Sequence, residues 1–400
     1  MGPLAGVRIL DLTTIMMGPS ATQTLGEMGA DVVKIEAPGG DPVRLIGPGR
    51  NPAMGGLFLN ANSSKRSICL DLKTEGGRGV LLRLVRTADV VAYNIRPQAM
   101  ERLGLSYDKL AAVKPDIIYV GMFGYGQDGP YAAKPAYDDL IQGAAVLPWL
   151  IAQAGDGTPR YVPSAIADRI VGIVAVSAIC AALYHRQKTG EGQRVDVPMF
   201  ETMVSLVLSD HLGGLTFEPP LDQGGYRRLL ARQRKPYKTR DGYICALLYS
   251  DQQWRSFFTL IGKNNAFEQD PRLRTMGTRS LHIDELYAEV SAEFLSRDTA
   301  EWRRLLEEAD IPVTPFHDLN SILDDPHLST IGFFQNEVHP SEGAIRRMRP
   351  ASTWSRTQPV AQRPAPRLGE HSRPLLAELG YSAEETDHLL QTKCVIAEED

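Results

Sequence analysis

Asp168 stands in Tyr161-Val162-Pro163-Ser164-Ala165-Ile166-Ala167-Asp168-Arg169, directly before the almost wholly apolar stretch Ile170–Tyr184. A carboxylate at the head of such a helix lies at the positive end of the helix dipole and against an apolar wall, which suits a nucleophile. The same position suits a plain helix N-cap, and position alone leaves both readings open.

Competing chemistries find little support. Gly124-Tyr125-Gly126-Gln127-Asp128-Gly129 matches GxGxxG after a strand, but Pro130 and Pro135 oppose the helix that a dinucleotide phosphate site requires, and no acidic residue ends a following strand at the right distance. The sequence has no GxxxxGK[ST] loop, no HExxH and no GxSxG, and its 8 histidines lack metal-ligand spacing. A carboxylate is therefore the leading nucleophile candidate.

The elements that must position it alternate. Short β-branched runs at Val7–Leu12, Val32–Glu36, Asp89–Asn94 and Asp116–Phe123 are separated by helical segments such as Ser20–Met28, which predicts parallel strands with helical crossovers. Their ends carry Asp, Glu, Asn or Gly, and Pro38-Gly39-Gly40-Asp41 forms such a loop. A buried helix after Asp168, a turn at Thr189–Gln193, a strand Arg194–Val197 and an apolar helix from Met199 extend the α/β core. Pro219, Pro220, Gly224 and Gly225 mark a boundary near residue 225, followed by a smaller α+β domain at 226–330 with amphipathic helices at Leu286–Phe294 and Thr299–Ala309. Pro340–Pro366 reads as extended, and the helical tail Gly369–Leu390 is expected to return to the first domain.

With 400 residues and 43% hydrophobic content the chain can bury a large core, and two domains are the natural expectation. The net charge of -5 arises from 43 basic and 48 acidic residues scattered without long runs, which argues against nucleic acid as a partner. Cys69, Cys180, Cys245 and Cys394 lie far apart without paired spacing and read as reduced packing residues. The opening MGPLAGVRILDL lacks the features of a secretory signal, and Ile170–Tyr184 is shorter than the roughly 20 residues that cross a bilayer, so a cytoplasmic protein without membrane association is expected.

Five segments carry a more specific signal: Gly6-Val7-Arg8-Ile9-Leu10-Asp11-Leu12; Gly29-Ala30-Asp31-Val32-Val33-Lys34-Ile35-Glu36 with Pro38-Gly39-Gly40-Asp41; Asn62-Ser63-Ser64-Lys65-Arg66-Ser67; the Asp168 segment; and Leu368-Gly369-Glu370-His371. On these the chain resembles, over nearly its whole length, the class III (CaiB/BaiF) coenzyme A transferases, a family that includes α-methylacyl-CoA racemases. The resemblance implies a Rossmann-like large domain, residues 1–225 completed by 331–400, a smaller α+β domain at 226–330, and an interlocked homodimer. It implies that Asp168 is the nucleophile that relays CoA from an acyl-CoA donor to a carboxylic acid acceptor, with CoA as substrate and no permanently bound cofactor or metal.

The CoA contacts that the resemblance implies are Ile15, Met16, Met17, Leu70, Asn94 and Arg102; read without it, the first three are ordinary core and Arg102 is a solvated helix face. Arg44, Lys65 and Arg66 are further cation candidates. Tyr137 matches a tyrosine near the acyl site of the transferases, where the racemases carry a histidine. A phenol with a pKa of about 10 is poorly suited to α-proton abstraction near neutrality, so Tyr137 favours transfer over racemisation. A non-catalytic acyl-CoA binding protein is the alternative of another class. The glycine run that covers the site of formyl-CoA transferase is missing, Gly224-Gly225-Tyr226-Arg227-Arg228 lying in that region, which counts against oxalate. Arg227, Arg228, Arg232, Arg234 and Lys235 are candidates either to hold a distal carboxylate or to form a solvated linker.

Overall fold

A computed structural model describes residues 2–398. Backbone contacts divide the chain into two compact units: one contains the residues up to Ala145, Pro163–Val204 and those from His327 onward, and the other contains Val146–Val162 and Ser205–Pro326. The sequence reading draws its boundary near residue 225; in the structure Val146–Val162 and the residues from Ser205 group with the second unit.

The first unit is built on a seven-stranded sheet. Strands β1 (Arg8–Leu12), β2 (Asp31–Glu36), β3 (Lys65–Leu70), β4 (Val90–Tyr93), β5 (Ile118–Phe123) and β6 (Arg194–Pro198) are all parallel to their neighbours, in the order β3-β2-β1-β4-β5-β6. The C-terminal strand Val395–Ile396 adds antiparallel to β3. In register, Leu10 of β1 lies opposite Val33 of β2 and Val91 of β4, and all three are buried. Strands covered on both faces read as continuous apolar runs, which is why β1, β2, β4 and β5 were legible. From β1 the chain adds β2 and β3 on one side and then crosses back from β3 to add β4, β5 and β6 on the other, and this reversal opens a crevice at the carboxyl ends of β1 and β4.

The sequence reading names no element between Glu36 and Asp89, and it misses β3 and the helix Glu75–Val85. β3 begins Lys-Arg-Ser, a polar start that gives no strand signal; its charges are buried because carboxylates distant in sequence meet them. Within Pro340–Pro366, Gly343–Met348 is a strand that pairs antiparallel with Phe334–His339 in a hairpin that the sequence did not signal. The tail does return to the first unit, through the helices Ser372–Glu378 and Ala383–Gln391, with Leu375, Leu376 and Leu389 in the main core.

The helix after residue 165 corrects two expectations. It runs Ile166–Thr189, 24 residues, long and apolar enough to cross a membrane by length and composition, because polar residues beyond Tyr184 continue it. It is also not buried all round. Ala167, Val171, Ala175 and Ile179 form a buried stripe, whereas Ile173 is 68% and Tyr184 62% exposed. Gly172 on this helix lets the first helix, Met17–Glu27, approach closely: a Cβ there would lie 2.8 Å from the Met17 carbonyl oxygen.

The second unit has an antiparallel sheet of Tyr237–Lys238, Tyr243–Ala246 and Val313–Pro315 beneath the helices Asp251–Leu260, Ile283–Phe294 and Thr299–Glu308. Its core is aromatic: Trp254, Phe257, Phe294 and Trp302 are all buried, and Tyr237 stacks on Phe294 with ring centroids 4.5 Å apart.

Candidate active site

The crevice at the ends of β1 and β4 is a cleft of about 610 Å³ formed within the first unit. Its wall begins with the loop after β1. Ile15 holds φ at 70°, in the left-handed region that a β-branched side chain disfavours, so something must compensate. Its amide donates to Asp41 Oδ1 at 3.1 Å, and Asn94 at the end of β4 clasps Thr14 from both sides, accepting from its amide at 2.9 Å and donating to its carbonyl at 2.8 Å.

Beneath this loop lies a dry network of charges. Lys34 Nζ donates to Asp41 Oδ2 and to the Thr13 carbonyl, each at 2.9 Å, and Lys65 Nζ donates to Asp11 Oδ2 at 2.9 Å. Arg44 forks onto Glu36 at 2.8 and 2.7 Å and lies over the Phe58 ring. Burial pushes the Asp11 carboxyl up, but Lys65, Lys34 and the hydroxyls of Thr13 and Thr22 overcome it and hold the group down at about 2. These charges shape the loop from below. The further cation candidates Arg44 and Lys65 are thereby committed inside the protein, and Arg66 is paired to Asp31 and Glu378.

Asp168 sits in the first turn of the helix Ile166–Thr189, half-buried, and lines the cleft. It does not close the helix as a cap. Asp138 serves the N-terminus instead, its Oδ2 accepting from the Asp168 amide at 2.9 Å while its Oδ1 accepts from Gln142 Nε2 at 2.6 Å. Burial, and then the nearby charge of Asp138, push the Asp168 carboxyl up to about 6 against the opposing pull of Arg169. Asp168 is therefore a basic carboxylate by the standard of aspartates, ionised above pH 6 and facing the cavity.

Of the other expected site residues, Ile15, Met17, Asn94, Arg102 and Tyr137 line the same cleft. Tyr137 is 68% exposed and immediately precedes the helix Asp138–Ala144. Met16 instead packs with Val43, Met54 and Phe58, and Leu70 is wholly buried in β3, opposite Val395. Arg227, Arg232, Arg234 and Lys235 are exposed in the second unit, where Arg228 lines a cavity of that unit.

Sequence reasoning assigned no role to Asp138, Arg96 or Lys134, which also line the cleft. The signals available were adjacency to Tyr137 for Asp138, and Arg96-Pro97 opening a helix beside Asn94. Arg96 and Arg102 have no ion pair among the described residues, and Lys134 Nζ lies 3.6 Å from the Tyr131 ring centroid, so the cleft presents cations to an anionic ligand. The glycine loop after β5 serves packing: the Gly126 amide donates to Glu201 Oε1 at 2.8 Å, and a Cβ on Gly124 would lie 2.1 Å from that of Ala136.

Comparison with known proteins gives a consistent result. The model of CoA-transferase family III matches residues 4–372. A succinate–glutarate CoA-transferase of Agrobacterium fabrum is 34% identical over 389 residues, 94% of this chain and 96% of the relative. A succinyl-CoA:glutarate CoA-transferase of Mus musculus is 31% identical, over 95% of this chain and 87% of the relative. The crystal structure of Rv3272 from M. tuberculosis superposes with a TM-score of 0.80 at 31% identity, covering 93% of this chain and 98% of that one.

Proposed function

The chain belongs to CoA-transferase family III and is an enzyme of that class; from that premise we propose that it moves CoA between carboxylic acids through a covalent relay on Asp168. The observation that carries the reading is the half-buried Asp168 carboxylate, raised to about 6, on the wall of a cation-bearing cleft at the carboxyl ends of β1 and β4.

The carboxylate of Asp168 attacks the thioester carbonyl of the donor acyl-CoA. The C–S bond breaks, CoA leaves as thiolate, and a mixed acyl-aspartyl anhydride remains. The thiolate then attacks the aspartyl carbonyl, forming an aspartyl-CoA thioester and releasing the donor acid as a carboxylate. An acceptor carboxylate attacks that thioester, expelling thiolate and forming a second anhydride. Attack of the thiolate on the acceptor acyl carbon gives the new acyl-CoA and restores Asp168. Each step exchanges one activated acyl bond for another, so no hydrolysis is needed to drive it.

In this reading Arg96 and Arg102 face the phosphates of CoA, and the Ile15 and Asn94 loops seat its pantetheine arm. Tyr137 borders the acyl group; a phenol hydroxyl there can orient substrate where the racemases carry a histidine, which supports transfer over racemisation. The exposed apolar side of the helix Ile166–Thr189 supports a further part of the proposal, that the enzyme acts as an interlocked homodimer.

The test is mass spectrometry of CoA esters after incubation in heavy water with succinyl-CoA and a panel of free acids that includes glutarate. A new acyl-CoA formed by the wild type and absent with Asp168→Asn is the expected result. Solvent deuterium at the α-carbon without exchange of acids would replace transfer by racemisation.

A further inference from the structure

The second unit contains a cavity of about 250 Å³ that the CoA-transfer reading does not use. Its walls are the rings of Tyr249, Trp254 and Tyr287 with Leu248, Met276 and Ile283, and its polar members are chiefly two arginines; no carboxylate lines it. Arg279 is already committed, 3% exposed, with one terminal nitrogen on the Leu273 carbonyl at 2.8 Å and the other on Asp251 Oδ1. Arg228 is not. Its Nε donates to the Tyr287 hydroxyl at 3.2 Å and its guanidinium carbon lies 5.2 Å from the Tyr249 ring centroid, but its two terminal nitrogens have no hydrogen-bond partner among the described residues. A half-buried guanidinium fixed at Nε keeps an open fork of N–H donors whose natural complement is a carboxylate. Aromatic and aliphatic walls around a single open cation match an acid with a compact apolar body.

We propose that this cavity is a binding site for a small monocarboxylic acid with an aryl or branched-alkyl body, its carboxylate on Arg228 and its apolar part between Tyr249, Trp254 and Ile283. The site stands on the second unit alone and does not depend on the Asp168 relay, so its test needs no turnover.

The test is isothermal titration of the full-length protein with phenylacetate, and with phenylacetamide as the neutral isostere. We expect saturable binding of phenylacetate, at least tenfold weaker binding of the amide, a loss of at least tenfold in Arg228→Gln, partial retention in Arg228→Lys, and no change in Arg232→Gln or Asp168→Asn. Thermal melts of each variant establish that it is folded. The proposal fails if phenylacetate shows no saturable binding up to 10 mM, on the order of the weak end of small-ligand affinities. It fails equally if a folded Arg228→Gln protein binds as the wild type does, if the amide binds as well as the acid, or if Asp168→Asn abolishes binding.

Discussion

The backbone amide of Asp168 donates to the side chain of Asp138 at 2.9 Å, which holds a second carboxylate beside the first at the head of one helix. Burial raises the Asp168 carboxyl and the charge of Asp138 raises it further, to about 6. Because the proposed relay needs the carboxylate, kcat/KM for the acyl-CoA donor should fall tenfold per pH unit below pH 6 and level off above it. Asp138→Asn removes a like charge while keeping an acceptor for the amide, so its acid limb should move to lower pH. An unmoved limb in that variant would show that the limb reports another group.

The same carboxylate should cost stability. Its folded value of about 6 lies above the ordinary 3.8, so the native state binds that proton more tightly than the unfolded chain does. The stabilisation is full below pH 3.8 and is lost as pH rises through 6. Asp168→Asn stays neutral throughout, so at pH 7.5 this variant should be more stable than wild type by about 1–2 kcal/mol, a figure discounted for partial solvent screening. The gain should vanish at pH 3.5. Urea melts at the two pH values check this, and equal wild-type and variant stability at pH 7.5 would refute it.

How much of this could be read from the sequence follows from which interactions are local. Asp168, Asn94 and Ile15 stand out because each lies at a boundary, a strand end or a helix start, and chain order places such boundaries at one rim of a parallel sheet. Lys65 and Asp11, in contrast, meet across 54 residues, so the Lys-Arg-Ser start of β3 looks like a loop until its distant partners are known. Leu70 and Met16 were expected at the ligand because the family resemblance maps CoA contacts onto them, not because of any signal in their own surroundings. Side-chain alternation turns Leu70 into the core beside Val395, and Met16 packs into the cluster with Phe58. The exposed side of the helix Ile166–Thr189 was hidden by composition: a stretch that is apolar all round does not reveal which side, the one carrying Ala167, Val171, Gly172, Ala175 and Ile179, finds neighbours within the chain.

Asp41 connects the buried charges to the cleft. One of its oxygens accepts from the strained Ile15 amide and from Val43, and the other accepts from Lys34. Asn at this position keeps one acceptor and turns the other into a donor facing an ammonium, so the Ile15 loop should relax towards ordinary φ. Asp41→Asn is expected to raise KM for acyl-CoA roughly tenfold, the equivalent of about 1.4 kcal/mol, with a smaller change in kcat. A fall confined to kcat would place the loop in the chemical step and not in binding.

Gly172 tests the close approach of the two helices that carry the site. Its missing side chain leaves room for the Met17 carbonyl and for Ser20; a Cβ would stand 2.8 Å from the first and 3.3 Å from Ser20 Oγ. The first contact is to backbone, which cannot rotate away, so Gly172→Val must push the Met17–Glu27 helix from the Ile166–Thr189 helix. The expected destabilisation is about 1–3 kcal/mol in urea unfolding, partly offset because valine is the better helix former. Met17 borders the cleft, so the same shift should also raise KM for acyl-CoA, whereas Gly143→Ala, on the helix Asp138–Ala144 where a Cβ meets open space, should be stable and fully active. If Gly172→Val melts like the wild type, the two helices yield without cost and the glycine is not what sets their distance.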